Sequence, residues 1–248
     1  MNTVRSTVLA AVAIASVAIL ACTLILVRPL DTFVSSKTSI AVTGSAKKQI
    51  RADLAVWRGA FSRESEALPA AYSAIKGDLA KVRAYLLQKG FAESDIKFEP
   101  VSTEIMYIMD PELLRQMGKS QQISGYRMYQ SVEVRSSDVD KITALSQEAS
   151  ELIDQGVIFQ SYPPQYLYTK LNDVKIEMLA AAAKDATARA NKIAEAAGSK
   201  VGQLRSARMG VFQITQVNST DVADYGINDT STVDKEITAV VNAEFSLR

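Results

Sequence analysis

A run of twenty residues without a charge, residues 8–27, constrains this chain more than any other feature of its sequence. An α-helix rises about 1.5 Å per residue, so a run of this length can cross a bilayer core of roughly 30 Å. A helix also satisfies every peptide group internally, which a segment inside lipid requires. The run is longer than the apolar part of a cleavable signal peptide, and no A-x-A cleavage pattern follows it. We therefore expect residues 1–30 to form a membrane anchor or uncleaved signal; a cleaved signal is the alternative, and a lipoprotein signal at Cys22 is the least favoured reading.

The charges that flank the run leave its orientation open, because Arg5 precedes it and Arg28 and Lys37 follow it. The tail before the run is short, whereas most of the chain follows it. The simpler outcome is that the short tail stays behind and the long part is exported. We expect residues 31–38 to be a linker and residues 39–248 to form one domain outside the cytoplasm.

Composition removes most enzyme chemistries from the exported part. The chain has no histidine, and its one cysteine, Cys22, lies inside the apolar run. Catalytic triads with histidine, zinc sites made from histidine and cysteine, haem ligated by either residue, and an intrachain disulfide are therefore excluded. With 28 basic and 27 acidic residues, the chain has no electrostatic bias toward nucleic acid. We accordingly expect no enzyme activity, no catalytic, cofactor-binding or metal-binding residues, no cofactor and no nucleic-acid partner.

Apolar residues recur with periods of 2 and 3.6 in orderly succession after the linker, which predicts alternating strands and helices. The predicted strands cover residues 40–46, 52–61, 96–109, 126–136, 157–168, 201–217 and 235–247. The predicted helices cover residues 68–86, 139–155 and 172–197. The order strand-helix-strand-strand occurs at 52–136 and again at 157–247. The sequence thus predicts an α+β fold after an N-terminal transmembrane helix: antiparallel sheets with helices packed on one face, in two βαββ-like halves joined by the second helix.

Individual elements carry more specific expectations. The strand at 52–61 is largely apolar on both faces and is predicted to be central and covered on both sides. Pro163 and Pro164 make the fifth strand an edge strand or a bent one. Ser136 or Ser137 is predicted to cap the second helix. The fourth strand alternates cleanly and is predicted to have one wet face, formed by Arg127, Ser131, Glu133 and Arg135.

Apolar stripes on the first and third helices predict which of their faces are buried. The first stripe consists of Leu68, Tyr72, Ile75, Leu79, Val82 and Leu86. The third consists of Ile176, Leu179, Ala183, Ala186, Ala190, Ile193 and Ala197. The alanines of the third helix favour close contact with the helix's own sheet, and contact between the helices of two subunits is the alternative.

Several short motifs, taken in order, resemble the SIMPL domain family of bacterial proteins, which are usually exported to the periplasm and include a periplasmic immunogenic protein. They are IAVTGSA at 40–46, RADLAVW at 51–57, ISGY at 123–126 and, on the long helix, AKDA at 183–186 followed by Arg189, Ala190, Gly198 and the VG at 201–202. The resemblance implies an envelope protein without an established reaction, linked to stress tolerance and with a tendency to assemble. Many members have a cleaved signal, whereas we expect this chain to be a single-pass protein of the bacterial inner membrane, with its domain in the periplasm.

Other motifs for nucleotide or acyl chemistry are incomplete. Residues 117–120, MGKS, are similar to the end of a phosphate-binding loop, but Leu113 stands where that loop requires glycine. The pattern Ser-x-x-Lys begins at Ser45, Ser73 and Ser94 without the partner motifs of penicillin-binding enzymes. We therefore expect neither motif to be functional, and we interpret Ser73, on a helix beside Ile75, as a solvated residue.

Acidic residues also favour structural interpretations. Asp138 and Asp140 lie where a helix begins and complement its dipole. Asp185 and Arg189 are spaced for a surface pair on the long helix. One loop holds several carboxylates that suit a divalent cation but lack the spacing of an EF-hand, so a solvated loop is favoured: Asp221, Asp224, Asp229 and Asp234.

The sequence therefore predicts a non-enzymatic, membrane-tethered envelope protein that acts as a homo-oligomer or by binding a partner. A tether would raise the local concentration and strengthen weak contacts between subunits. The alternative is a periplasmic module that binds a peptide, glycan or small molecule in a groove between sheet and helices.

Overall fold

The structure, a computed structural model, describes residues 38–108 and 123–248 together with Ser16 and Cys22. The rest of the predicted anchor at residues 8–27 and the predicted polar excursion after the third strand lie outside the described residues. Within the part of the chain that is described, no helix is both long and apolar enough to span a membrane. The described part has the predicted α+β architecture, with its helices packed on antiparallel sheets.

Eleven strands and three α-helices make up the described residues. In chain order they are β1 (Ser39–Arg51), β2 (Leu54–Ser65), α1 (Leu68–Gln88), β3 (Ile96–Phe98), β4 (Ser102–Tyr107), β5 (Ile123–Ser136), α2 (Val139–Glu148), β6 (Ile158–Ser161), β7 (Gln165–Leu167), α3 (Leu171–Ala196), β8 (Val201–Met209), β9 (Gln213–Gln216), β10 (Ile227–Asn228) and β11 (Asp234–Leu247). Three of the predicted strands are each divided in two: the third gives β3 and β4, interrupted at Pro100, and the sixth gives β8 and β9. The fifth is bent at Pro163 into β6 and β7, as predicted.

The larger sheet has six strands, with β2 and β5 paired at its centre. β3 and β4 pair with the far edge of β5, and β6 and β7 with the far edge of β2. Helices α1 and α2 cover one face, where Trp57, Phe61 and Val132 are buried. Asp138 caps α2 by accepting the N–H of Lys141 at 3.0 Å, so the prediction of a serine cap was wrong.

The smaller sheet has five strands and is built around β11. β1 pairs with β11 along its whole length, from Ser39 opposite Ser246 to Arg51 opposite Asp234. β8 and β9 pair with the other side of β11, and β10 adds to β9 in parallel. α3 packs on β1 and β11 and closes a second core.

The prediction that residues 157–247 form a second βαββ-like half is therefore wrong in one respect. β6 and β7 belong to the larger sheet, and β1 takes the place of first strand in the smaller one. In both sheets one long strand pairs with the first strand on one side and with two shorter strands on the other: β5 with β2 and with β3 and β4, and β11 with β1 and with β8 and β9. The sequence concealed this pairing because the strands are far apart in the chain; Ser39, for example, bonds to Glu244, 205 residues away.

The buried face of α1 is rotated from the predicted stripe. Tyr72 and Leu68 are 49% and 41% exposed, whereas Asp78 is buried. Asp78 accepts two hydrogen bonds from Arg63 of β2, at 2.5 Å from Nε and 2.8 Å from Nη2. The hydrogen bond to Asp78 raises the pKa of Arg63. Ile75, Val82 and Leu86 of the predicted stripe are buried, and the apolar pattern could not show that Asp78 is buried beside them by its contact with the partly exposed Arg63.

The stripe on α3 is also displaced. Buried residues occur at every fourth position: Val174, Met178, Ala182, Ala186, Ala190 and Ala194. Ile176 and Ile193, which the stripe placed inside, are 70% and 52% exposed. The cause is close contact with β1, since a Cβ atom added to Gly44 would lie 2.2 Å from the Ala182 carbonyl oxygen. The alanines therefore pack against the helix's own sheet, which was the favoured interpretation.

Candidate binding surface on the six-stranded sheet

The face of the six-stranded sheet that points away from the helices forms the candidate site. Side chains alternate along β2 and β5, so that Trp57 and Val132 point into the core while Arg58 and Ser131 point to the other face. β2 is central, as predicted. Its second face is not covered as predicted, because the Arg58 side chain is 59% exposed.

A cleft of about 310 Å³ lies on this open face, beside the connection between β6 and β7. Its lining combines apolar groups with three polar side chains: Val56, Gly59, Tyr162 and Pro163, with Arg58, Ser131 and Gln165. This volume is at the lower end of what small-molecule sites occupy. The cleft lies on the sheet's open face, whereas the sequence placed a groove between sheet and helices.

Two arginines bind one buried glutamate beside the cleft. Arg58 and Arg135 donate through Nε to the Glu133 carboxylate at 2.8 Å and 2.7 Å. Burial by itself raises the pKa of Glu133, but the hydrogen bonds from Arg135 and Arg58 outweigh it and leave the pKa below its ordinary value. Two guanidinium groups share one carboxylate, so this part of the face carries a net positive charge.

A second cleft, of about 430 Å³, continues the surface and shares one tyrosine with the first. Tyr129 and Ile158 line it and are 46% and 59% exposed. Arg127 at its edge donates to Glu64 at 2.6 Å and to Glu104 at 3.2 Å, and the bond to Glu64 is the main reason that the pKa of Arg127 is raised. Exposed tyrosine, isoleucine and arginine in one continuous area are typical of protein interfaces.

The four loop aspartates, for which the sequence favoured a solvated loop over a cation site, do not form a group suited to a metal ion. Asp229 pairs with Lys235 at 3.2 Å, and Asp234 pairs with Arg51 at 3.3 Å. Asp221 accepts a hydrogen bond from the hydroxyl group of a neighbouring serine at 2.9 Å. Across the described residues, no cluster of three or more acidic, histidine or cysteine side chains is suited to holding a metal ion.

The pair of Lys235 and Asp229 is a structural feature that sequence reasoning missed. Their side chains are only 2% and 12% exposed. Asp229 also accepts hydrogen bonds from the hydroxyl groups of Ser231, at 2.6 Å, and of Thr232. Burial raises the pKa of Asp229, but these hydroxyl groups and Lys235 lower it far below its ordinary value. The pair and Tyr166 of β7 line one cavity of about 50 Å³. The pair therefore lies where the two sheets meet.

The serine-lysine motifs show no catalytic geometry. Lys48 is held by Glu177 at 2.6 Å, and Ser73 and Ser94 are exposed. Residues 117–120 lie outside the described residues.

The predicted surface pair on α3 is present, with Arg189 Nε 2.8 Å from Asp185 Oδ2. The same carboxylate accepts the backbone N–H of Ser45 at 2.8 Å, and this bond is the main reason that the pKa of Asp185 is lowered. α3 therefore also covers part of the outer edge of β1, a contact that helical spacing does not predict.

Sequence reasoning named no residue of the open face as functional. It did predict that Arg127 and Glu133 lie on the same face of β5, away from the core, which is confirmed, but Glu133 is buried there beneath Arg58 and Arg135. The overlooked signal was Tyr129, a large aromatic residue at a wet-face position of the same strand. An aromatic residue among charges on an uncovered face is a reason to suspect binding.

Comparison with known proteins gives one family match. A family model described as "SIMPL: Protein of unknown function (DUF541)" matches residues 40–245. No curated protein matches this sequence. Among solved structures, an amidase of the hydantoinase/carbamoylase family from Burkholderia phymatum is similar over 53% of this chain and 34% of that chain, with 10% identity and a TM-score of 0.30. This chain thus spans about a third of that protein's length, and a likeness at this TM-score says nothing about its fold or activity.

Proposed function

The chain belongs to the SIMPL family, whose model matches residues 40–245, and we propose that it is a non-enzymatic envelope protein that self-associates through the open face of its six-stranded sheet. Its N-terminal run anchors it in the inner membrane of a bacterium, with the domain in the periplasm. A role in envelope or oxidative stress tolerance, which the family resemblance implies, would be exerted by this assembly.

The observation that carries the proposal is the composition of the open face. Its exposed Tyr129 and Ile158 are flanked by three arginines that are each paired with a glutamate: Arg58 and Arg135 with Glu133, and Arg127 with Glu64 and Glu104. The face therefore carries both signs of charge around an apolar centre. A second copy related by a two-fold axis can place opposite charges against each other, as an isologous interface requires.

The tether supports the same proposal. Copies confined to one membrane meet at a high effective concentration, so contacts that are weak in solution become populated. The alanines of α3 offer no competing surface, because Ala186 and Ala190 are fully buried against the domain's own sheet.

Photo-crosslinking in membranes tests the proposal. The full-length chain would carry a photoreactive phenylalanine at Tyr129 or, as the control, at Tyr72 of α1, which has a similar exposure of 49%. We expect a dimer-sized adduct from position 129 that contains two differently tagged copies, and no such adduct from position 72. An adduct of Tyr129 with a different protein, or equal adducts from both positions, would contradict self-association through this face.

A second candidate function is the binding of a small molecule in the cleft of about 310 Å³. The observation in its favour is the arrangement of Ser131, Arg58 and Gln165 around an apolar floor, which can orient a ligand that carries an acceptor group. A ligand that binds the folded state raises its melting temperature. We expect that a ligand found in a thermal-shift screen would stabilise the wild type and have no effect on Val56→Trp, which fills the cleft.

A further inference from the structure

β8 is a nine-residue edge strand of the five-stranded sheet. Among the described strands it pairs with β11 alone, through six of its residues, so one edge of its backbone is open. Every residue from 203 to 209 is exposed, and Leu204 and Met209 are 55% and 60% exposed. An open edge of this length presents a row of N–H and C=O groups to which another chain can pair.

The direction of these backbone groups follows from one hydrogen bond. Gly210 donates its N–H to the Val240 carbonyl of β11 at 2.9 Å. Backbone groups of successive residues in a strand point alternately to the two sides. The N–H and C=O groups of Ala207 and Met209 therefore point away from β11, toward the open side.

The two faces of β8 differ in chemistry. On the side that faces α3, the side chains are those of Leu204, Ala207 and Met209, opposite the core residues of β11. On the other side lie Arg208, opposite Asn242, and Ser206, opposite Glu244, and Arg205 occupies the bulge between Leu204 and Ser206. Residues 200–209 contain three basic residues and no acidic one. A strand added here would meet apolar side chains on one face and positive charge on the other.

Segments of the chain itself fit this edge poorly. β1, the other open edge of the same sheet, is also basic, and α3 already takes its Ser45 N–H through Asp185. The acidic residues 221–226 are held as a turn by Gln213, which donates to the Ala223 carbonyl at 2.8 Å and accepts the Ala223 N–H at 3.4 Å. Charge complementarity therefore favours a partner other than a second copy.

We propose that β8 is a docking edge for an acidic, extended segment of another protein, which adds to the five-stranded sheet as a further strand. Backbone hydrogen bonds provide the affinity, and alternating apolar and acidic side chains provide the selectivity. Arginines on an edge also discourage unwanted pairing, but the exposed Leu204 and Met209 that flank them serve no such purpose. This surface is separate from the open face of the six-stranded sheet, so the inference stands independently of the proposed function.

A peptide titration tests the proposal on the full-length protein in detergent. The probe is a fluorescein-labelled peptide of alternating glutamate and valine, as long as β8, and its binding is followed by fluorescence anisotropy. We expect saturable binding that the charge reversals Arg205→Glu and Arg208→Glu together weaken by about tenfold or more. The control reversals Lys184→Glu and Lys192→Glu on α3 change the net charge equally and should leave the affinity within about twofold.

Two further comparisons separate strand addition from simple charge attraction. A peptide of the same composition, with glutamates and valines in separate blocks, should bind about tenfold or more weakly, because it cannot match both faces of β8. Ala207→Pro removes an outward N–H and leaves the groups that bond to β11 in place, so it should weaken binding, whereas Ala207→Val should not. Equal binding of the block peptide would overturn the proposal. Crosslinks between copies from a photoreactive residue at Met209 would assign the edge to a second copy and would also overturn it.

Discussion

At the scale of single residues, the buried ion pair of Lys235 and Asp229 is a contact whose loss should destabilise the fold. Among the described residues, Lys235 is the largest polar side chain that is almost fully buried, and it forms an ion pair with Asp229. A buried pair contributes less than its Coulomb attraction suggests, because both charges leave water. Removing one partner is different, since the other charge then stays buried without compensation.

Asp229→Asn should therefore destabilise the domain by about 3 kcal/mol at neutral pH. The pKa of Asp229 is lower in the folded state than its ordinary value of 3.8, so the stability it provides is present above that pH and is lost as the pH falls below it. In denaturant unfolding of residues 38–248, the difference in free energy of unfolding between wild type and variant should become smaller below about pH 4. Asp221→Asn, at an exposed aspartate of the same loop, should change stability by less than about 0.5 kcal/mol. A difference that stays constant down to acid pH would contradict this assignment.

At the scale of elements, α3 shows how close a helix can come to its sheet. Ala186 is fully buried and Ala183, three residues earlier, is exposed. Ala186→Leu should overpack the contact with β1 and cost about 1–3 kcal/mol or more, because Gly44 already leaves no room there. Ala183→Leu should be nearly neutral. The melting temperatures of both variants check these expectations. In sedimentation velocity, Ala186→Leu should not dissociate the protein selectively. If it does so with an unchanged melting temperature, α3 contacts another subunit.

Sequence periodicity predicted which elements form better than which of their faces are buried. The five apolar positions predicted for the second helix are all buried: Val139, Ile142, Leu145, Ala149 and Leu152. The same reasoning was right only in part on α1 and α3, where Asp78 meets Arg63 and where Gly44 lies against the helix backbone. Both errors come from partners distant in sequence, which a local period cannot contain. The open face of the larger sheet was half predicted, because alternation identified the wet residues of β5 and nothing local showed that β6 would bring Ile158 beside them.

At the scale of the whole molecule, contacts at the point where β1 turns into β2 link the two sheets. The Ala52 N–H donates to the Val233 carbonyl at 2.9 Å, and Asp53 accepts the N–H and hydroxyl of Thr169 at 2.7 Å and 2.8 Å. Arg51 forms ion pairs with Asp140 of α2, which covers the larger sheet, and with Asp234 of β11 in the smaller sheet. These contacts join the end of β1 and the start of β2 to both sheets, so a constraint applied to β1 would reach both of them.

An uncleaved anchor is the premise on which the effect of local concentration depends. The twenty uncharged residues at 8–27 and the lack of a cleavage pattern predict that the chain stays in the membrane with its N-terminus intact. Intact-mass analysis of the protein extracted from membranes should give a mass that includes Met1 or begins at Asn2. A control with Leu20→Arg and Leu24→Arg, which places charges inside the run, should shift the protein out of the membrane fraction, because a charge near the centre, where Leu20 lies, costs about 2.5–3.5 kcal/mol of insertion. A mature protein that begins near residues 30–45 in the soluble fraction would contradict the anchor, and self-association would then have to rest on the open face of the sheet alone.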